Sequence, residues 1–197
     1  PACVGERGRG IEGQIAINSY LTPSFHRLRV GVRFFTRRQP HLMIGFGFAD
    51  RTLTAPETAH ILAEALHDPR FTDRRVLVII PDGTRSGPLA AVFAHIVQHL
   101  APRARQLDFL IALGTHQPMT AAQIAALLGA ENVAHAADLG VRIFNHEWQR
   151  AETFIDLGEI SAAQVAEISG GQLAQAVPVR VNRLVTEYDQ LVVCGPD

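Results

Sequence analysis

The chain of 197 residues contains no lysine, so arginine supplies all 18 of its Lys and Arg residues. Without lysine, the chain itself cannot form a Schiff base or a covalent lysine–cofactor link, or supply the lysine of a P-loop. Its two cysteines, Cys3 and Cys194, are too few and too far apart for a disulfide framework or a zinc ribbon. No apolar run approaches the roughly 20 residues that cross a bilayer, and the first residues lack a signal-peptide pattern. We therefore predict a cytoplasmic protein with no membrane partner.

The composition that is present is typical of a globular protein, with 47% hydrophobic and 19% charged residues. A net charge of -1 gives no reason to expect a nucleic-acid partner. The charge is unevenly distributed, because residues 1–42 hold seven arginines against two glutamates. This segment also lacks a sustained helical or strand period. We interpret 1–42 as irregular and arginine-rich, either poorly ordered or upstream of a natural start at Met43; the alternative is a basic arm for an acidic partner.

Residues 43–197 alternate between strand and helix patterns and are predicted to form one α/β domain. Short apolar runs at 75–80, 107–113, 141–144, 153–155, 177–181 and 190–194 predict strands. Helical stripes follow capping-box sequences at Thr54, Thr120 and Ser161, and another stripe covers 89–100. This alternation predicts a Rossmann-like fold, a mainly parallel sheet with helices on both faces. Because the sequence stops directly after a strand, we expect a fragment truncated at its C-terminus.

Two loops place polar side chains directly after neighbouring strand patterns. Pro81–Ser86 contains Asp82 and Arg85, and Gly114–Thr120 contains His116. Ligands of open α/β sheets bind beyond the carboxyl ends of the strands. An arginine can bind a carboxylate through two hydrogen bonds, and histidine is the commonest acid or base at neutral pH. The loops therefore indicate chemistry on a small anionic substrate, although a plain turn and a structural histidine would fit the same residues.

The remaining histidines carry weaker patterns. His95 and His99 have the spacing of metal ligands on a helix, but no glutamate follows His95, so the zinc-hydrolase motif is absent. A half-buried helix face explains this pair better than a metal-dependent hydrolase, and no metal ligand is assigned. His146 also follows a strand, where it would either line the same edge or pack near Trp148.

The two loop sequences, Pro-Asp-Gly-Thr-Arg followed by Gly-Thr-His-Gln-Pro-Met-Thr, resemble the N-terminal domain of the lactate racemase family. The sequences at 145–147 and 177–184 extend the resemblance over the region from about Met43 to the end. This resemblance implies a racemase or epimerase of lactate or another 2-hydroxy acid. It further implies hydride transfer from the substrate C2 to a nickel-pincer nucleotide, a pyridinium mononucleotide that holds nickel, with two histidines as alternating bases.

By the same resemblance, four residues of the two loops have roles in the full enzyme. His116 is one of the two bases, Arg85 anchors the substrate or a phosphate, Asp82 orients a group or contacts the cofactor, and Thr84 helps to hold the loop. His146 remains a candidate for the edge of the site.

The resemblance also places the rest of the machinery outside this chain. The second histidine base, the lysine that tethers the cofactor and the nickel-binding histidine are expected beyond residue 197, in a C-terminal domain. We therefore expect the chain alone to be inactive and to leave most of the cofactor binding to that domain. Gln117 and Ser86–Gly87 depart from the family pattern, which leaves the identity of the 2-hydroxy acid open. The alternative is a binding protein rather than an enzyme, a non-catalytic nucleotide- or anion-binding module. In that module, Arg85 and the N-terminus of the helix that follows it would bind phosphate.

Overall fold

The computed structural model describes residues 15–21, 44–45, 48 and 50–196, and a five-stranded sheet is its centre. The strands in chain order are β1 (Ile15–Leu21), β2 (Arg75–Pro81), β3 (Gln106–Ala112), β4 (Arg142–Asn145), β5 (Phe154–Ile160), β6 (Val177–Asn182) and β7 (Gln190–Pro196). The large sheet has the order β1-β7-β2-β3-β4, whereas β5 and β6 form a separate antiparallel ribbon. The strands predicted from apolar runs are thus present, but the separate ribbon was not predicted.

Four adjacent strands of the large sheet run parallel, which confirms the mainly parallel α/β fold. β2 pairs with β3 on one side and with β7 on the other, and β3 pairs with β4, all in parallel. Only β1 is antiparallel, and its partner is β7. The chain moves outward from β2 to β4 and later returns to the opposite side of β2. The boundary between β2 and β7 is therefore a topological switch point, where open α/β sheets bind their ligands.

Helices cover the two faces of the sheet unequally. The helices are α1 (Ala55–Leu66), α2 (Leu89–Leu100), α3 (Ala121–Leu128), α4 (Ala130–Asp138), α5 (Ala162–Ile168) and α6 (Leu184–Glu187). Side chains of α1 to α4 share one core with the sheet, in which the rings of Phe93 and Phe109 lie 4.6 Å apart. On the other face, Leu184 and Val185 of α6 pack on a small cluster that includes Leu77.

The predicted helix starts are confirmed in detail. Thr54, Thr120 and Ser161 each accept a hydrogen bond from the third helical residue, whose side chain bonds back to the cap. Gly129 ends α3 with a φ of 87°, a left-handed conformation that favours glycine. The capping sequences therefore fix where α1, α3 and α5 begin.

A buried carboxylate joins the strands at the amino end of the sheet. Asp108 of β3 is fully buried and accepts hydrogen bonds from Arg142 at 2.7 Å, from Gln106 at 2.6 Å and from the Tyr188 hydroxyl at 2.5 Å. These donors keep the pKa of Asp108 below its ordinary value, although burial alone would raise it. The carboxylate therefore connects β3, β4 and the segment before β7.

The ribbon of β5 and β6, together with α5, exposes several large apolar side chains. These are Leu157, Ile168, Leu173 and Val177. Single exposed apolar side chains are normal in folded proteins, whereas these four side chains lie within 21 residues of the sequence. None of the helices in the described part of the chain is both long and apolar enough to cross a membrane.

The segment 1–42 was predicted to be irregular, but it contains β1, which has no recognisable strand pattern and is defined by its pairing with β7. Its remaining residues, and Met43 and Cys3, lie outside the described part of the chain. The domain boundary near residue 43 therefore stays a prediction.

Candidate functional site

The two polar loops meet at the carboxyl edge of the sheet because β2 and β3 are parallel neighbours. Asp82 is the first residue after β2, and His116 follows β3 by four positions. The His116 Nδ1 lies 2.5 Å from the Asp82 Oδ2. The Asp82 side chain is only 9% exposed, whereas that of His116 is 58% exposed. The edge thus presents a buried carboxylate beneath an accessible imidazole.

Thr84 holds the Asp82 carboxylate from its other side. Its hydroxyl donates to the Asp82 Oδ1 at 2.5 Å, and its backbone N–H donates to the same oxygen at 3.1 Å. Burial alone would raise the pKa of Asp82, but the hydrogen bonds from Thr84 and His116 outweigh burial and lower it below its ordinary value. Asp82 is therefore ionised at neutral pH.

The ionised carboxylate selects the tautomer of the neutral His116 ring. A carboxylate can only accept, so the His116 Nδ1 carries the proton and donates it to Asp82. The lone pair of the ring is then on Nε2, which has no hydrogen-bond partner among residues 50–196. This arrangement can accept a proton at Nε2 while Asp82 stabilises the resulting imidazolium, as the aspartate does in hydrolase triads.

The end of β4 and the residues after it hold the His116 loop against the sheet. The Trp148 Nε1 donates to the His116 carbonyl at 3.1 Å. The Asn145 side chain accepts from the Met119 N–H at 3.0 Å and donates to the Met119 carbonyl at 2.9 Å. The loop ends where Thr120 caps α3. These contacts restrict the position of the imidazole.

The Arg85 guanidinium is not drawn into this cluster. Its backbone N–H donates to the Asp82 carbonyl at 3.3 Å, which closes the turn. Its side chain is exposed and makes no hydrogen bond or ion pair with the described residues. The structure therefore unites Asp82, Thr84 and His116 and leaves Arg85 beside them, available to an anion.

His146 lies at the same edge, directly after β4. Its backbone N–H donates to the Ile111 carbonyl at 3.1 Å, which extends the pairing of β4 with β3. Its Nδ1 lies 3.0 Å from the Asn182 amide nitrogen, and its half-buried ring meets Phe154 edge-on at 5.4 Å. Burial lowers the pKa of His146. The aromatic ring that contacts the His146 imidazole is therefore that of Phe154, whereas the sequence had suggested Trp148.

Sequence reasoning missed the contacts made by Trp148, Asn145 and Asn182. Asn145 is the last residue of β4 and Trp148 follows it by three positions, so both lie at the carboxyl end of a predicted strand, which is a usable signal. Asn182 gave no such signal, because its contact with His146 depends on the placement of the ribbon.

The donor set does not fit a nickel centre. Within the described ranges, no group of three or more His, Cys, Asp or Glu side chains is arranged to hold a metal ion. The rings of His95 and His99 lie 6.3 Å apart on α2 without a third ligand among these residues, which removes the support for a metal-dependent hydrolase. The sequence also has no lysine to tether a cofactor. No residue described here is assigned to hold a metal.

The fold and the site define an α/β domain that presents an Asp–His pair beside the switch point of a parallel sheet. The sequence of the domain also identifies its family. The chain belongs to the lactate racemase N-terminal domain family, whose model matches residues 49–196. The prediction of the family from the two loops is therefore confirmed.

Two solved structures are similar to this chain, and the first of them supports the fold. A crystal structure of a Thermotoga maritima protein, from the Northeast Structural Genomics Consortium, is 27% identical, with a TM-score of 0.58 over 68% of this chain and 31% of that one. The lactate racemase apoprotein from Thermoanaerobacterium thermosaccharolyticum is 19% identical, with a TM-score of 0.48 over 68% of this chain and 30% of that one. The match thus spans about a third of these proteins. No curated protein sequence matches the chain.

Proposed function

We propose that this domain forms one wall of the active site of a 2-hydroxyacid racemase or epimerase, with His116 as one of its two bases. The observation that carries the proposal is the Asp82–His116 pair, whose Nε2 has no partner in the described part of the chain. Membership of the lactate racemase N-terminal domain family supports the class of reaction.

The chain's own residues bind the substrate and move one proton. The proton of the substrate hydroxyl passes to the His116 Nε2, and Asp82 stabilises the imidazolium that results. Arg85 binds the substrate carboxylate. His116, or a second base on another part of the complete protein, returns a proton to the oxygen when the hydroxy acid re-forms. A nickel-pincer nucleotide held by residues outside the described part of this chain would supply the hydride-transfer chemistry at C2.

We infer that the cofactor is bound by parts of the protein outside the described residues of this chain. The chain offers neither a tethering lysine nor a metal-ligand cluster in its described part. We therefore expect this domain alone to be inactive and a partner domain to supply the opposite wall. Lactate or another 2-hydroxy acid is the substrate, and the cytoplasmic location stays a prediction.

The test is His116→Ala in the complete, cofactor-loaded protein, assayed on a panel of 2-hydroxy acids by chiral chromatography. Turnover should fall by about 10²- to 10⁴-fold, the contribution of a positioned general base, while the amount of bound cofactor is unchanged. The matched control is His135→Ala, an exposed histidine of α4. In D₂O, hydride transfer should give product without deuterium at C2. Undiminished turnover in the His116 variant would refute the proposal.

The Arg85 guanidinium, which has no side-chain partner among the described residues, supports a second candidate, the non-catalytic binding module. In that case the protein binds a nucleotide without turning over any hydroxy acid. Calorimetry should then show affinity that Arg85→Ala abolishes and His116→Ala leaves intact. Racemisation that depends on His116 would exclude this candidate.

A further inference from the structure

The carboxyl edge carries two histidines whose hydrogen bonds fix opposite tautomers. The His116 Nδ1 donates to the Asp82 carboxylate, which leaves a lone pair on Nε2. The bonds of His146 impose the reverse arrangement.

The tautomer of His146 follows from the orientation of the Asn182 amide. The Leu184 backbone N–H donates at 3.0 Å to the Asn182 Oδ1, so that oxygen lies on the side of α6. The amide nitrogen of Asn182 then faces the His146 Nδ1 at 3.0 Å and donates to it. An Nδ1 that accepts is unprotonated, so the neutral ring carries its proton on Nε2.

The His146 Nε2–H remains available at the edge where His116 lies. It has no hydrogen-bond partner among residues 50–196, and the ring is only half buried. The two histidines follow β3 and β4, and neighbouring strands of a sheet are about 4.8 Å apart. The hydrogen bond from Trp148 to the His116 carbonyl joins the two segments directly.

We propose that His146 is a fixed neutral N–H donor that binds the carboxylate of the 2-hydroxy acid whose hydroxyl proton His116 accepts, an inference that rests on the proposed function. The chemistry of the two rings matches that substrate class. A 2-hydroxy acid carries a hydrogen-bond donor and an anionic acceptor on adjacent carbons, and the edge presents one ring that accepts and one that donates.

The environment of His146 suits a neutral donor. Burial disfavours the imidazolium form, and the Phe154 ring packs against the imidazole edge-on. Asn182 is uncharged, so it orients the ring without favouring protonation. The exposed Arg85 would supply a positive charge for the same substrate carboxylate. The hydrogen bond from His146 would fix the orientation of that carboxylate.

The first test reads the tautomer in this chain by long-range ¹H–¹⁵N NMR of the imidazoles at pH 7. We expect the His146 Nδ1 to be unprotonated and its Nε2 to be protonated. Asn182→Asp should reverse this pattern, because a carboxylate at position 182 can only accept a hydrogen bond, which keeps the proton on Nδ1. A protonated Nδ1 in the unmodified neutral ring would overturn the inference.

The second test separates substrate binding from turnover in the complete, cofactor-loaded protein, with the 2-hydroxy acid that it racemises fastest. His146→Ala should raise KM about 10- to 100-fold, the range for a hydrogen bond to a charged group, and change kcat less than about threefold. His146→Gln should restore most of the loss, because its amide N–H can take the place of Nε2–H. His135→Ala, at the exposed histidine of α4, is the matched control and should leave KM near its original value.

The outcomes distinguish this inference from the proposed function. An unchanged KM in His146→Ala, with turnover still dependent on His116, would overturn the role of His146 alone. An equal loss in the Ala and Gln variants would show a structural role and would also overturn it. Absence of His116-dependent racemisation would refute the proposed function and this inference together.

Discussion

At the scale of single residues, Asp82 determines what the neighbouring histidine can do. Its Oδ1 is occupied by two donors from Thr84, so only Oδ2 faces the imidazole. The carboxylate therefore selects the tautomer and holds the ring. His116 is 58% exposed and would otherwise sample other rotamers.

Asp82→Asn should lower kcat of the complete protein by about 10²- to 10⁴-fold, as wrong-tautomer variants of catalytic triads do. The Thr84 donors would keep the amide oxygen on their side, so the amide nitrogen would face His116 and donate to its Nδ1. Nε2 would then carry the proton and could not act as a base. Steady-state kinetics checks the change in rate, and NMR of the His116 ring checks the tautomer.

The control for this variant is Asp73→Asn, at an exposed carboxylate with a φ of 53°. Asparagine tolerates that conformation, and the exposed pair with Arg105 contributes little. The control should leave kcat unchanged. An Asp82→Asn enzyme with full activity would contradict the assigned role of the pair.

At the scale of elements, neighbouring segments are joined by polar side chains at both ends of the sheet. Asp108 joins the strands at the amino end, and Asn145 and Trp148 hold the His116 loop at the carboxyl end. The amino-end contacts centre on the buried Asp108 carboxylate and connect positions up to 82 residues apart. The amino-end contacts therefore stabilise the fold, whereas the carboxyl-end contacts hold the residues of the site in position.

Tyr188→Phe should reduce the free energy of unfolding by about 1–3 kcal/mol, because a buried carboxylate loses one charged hydrogen bond. The hydroxyl lies 2.5 Å from the Asp108 Oδ2 and accepts from Gln106 at 3.2 Å. Urea denaturation followed by circular dichroism measures the change. Ile168→Ala, at a side chain that is 79% exposed, is the control and should be close to neutral. Equal stability of the Tyr188 variant and the unmodified chain would contradict this account.

Thr120→Ala should cost about 0.5–2 kcal/mol of stability, since the first turn of α3 loses its cap. The Thr120 hydroxyl accepts from the Gln123 N–H at 3.3 Å, and the Gln123 side chain bonds back to the Thr120 N–H at 2.8 Å. Thr120→Ser keeps the capping oxygen and should recover most of the loss in thermal and urea denaturation. A serine variant as unstable as the alanine variant would argue against capping as the cause.

At the scale of the whole molecule, several structural carboxylates make the fold sensitive to acid. The hydrogen bonds and ion pair with Arg75 lower the pKa of Asp189 to about 2, and the pKa values of Asp82 and Asp108 also lie below the ordinary range. In the unfolded chain these groups would bind protons near pH 3.9. Their contribution is thus fully present above that pH and is lost as the pH falls through the folded-state values.

The free energy of unfolding should therefore fall between about pH 5 and pH 2. Urea denaturation at a series of pH values in this range measures the slope. Asp189→Asn should give a shallower slope than the unmodified chain, because it removes one group with a lowered pKa. A free energy of unfolding that stays constant down to pH 3 would contradict the prediction.

Local patterns in the sequence were sufficient to predict most of the helices and strands and the family. The apolar run at 75–80 and the capping boxes at Thr54 and Thr120 depend on neighbouring residues, so periodicity and capping chemistry predict them. The contact between Asp82 and His116 required only that β2 and β3 be parallel neighbours.

Long-range pairing could not be predicted in this way. Nothing in the local pattern distinguishes β5 and β6, which form their own ribbon, from strands of the large sheet. The same holds for β7, whose position between β1 and β2 is decided by tertiary packing. The Asn182–His146 contact spans 36 residues and depends on where the ribbon lies.

The position of β7 has a consequence for how the protein is made. β7 is the last described strand to leave the ribosome, yet it lies between β1 and β2 in the finished sheet. Until it is synthesised, the apolar edge of β2 has no partner on that side and β1 has no neighbour at all. A nascent chain stalled before residue 190 would therefore expose an open strand edge, the kind of surface that recruits chaperones or aggregates. Synthesis of β7, rather than of the helices, would then be the event that completes the described sheet.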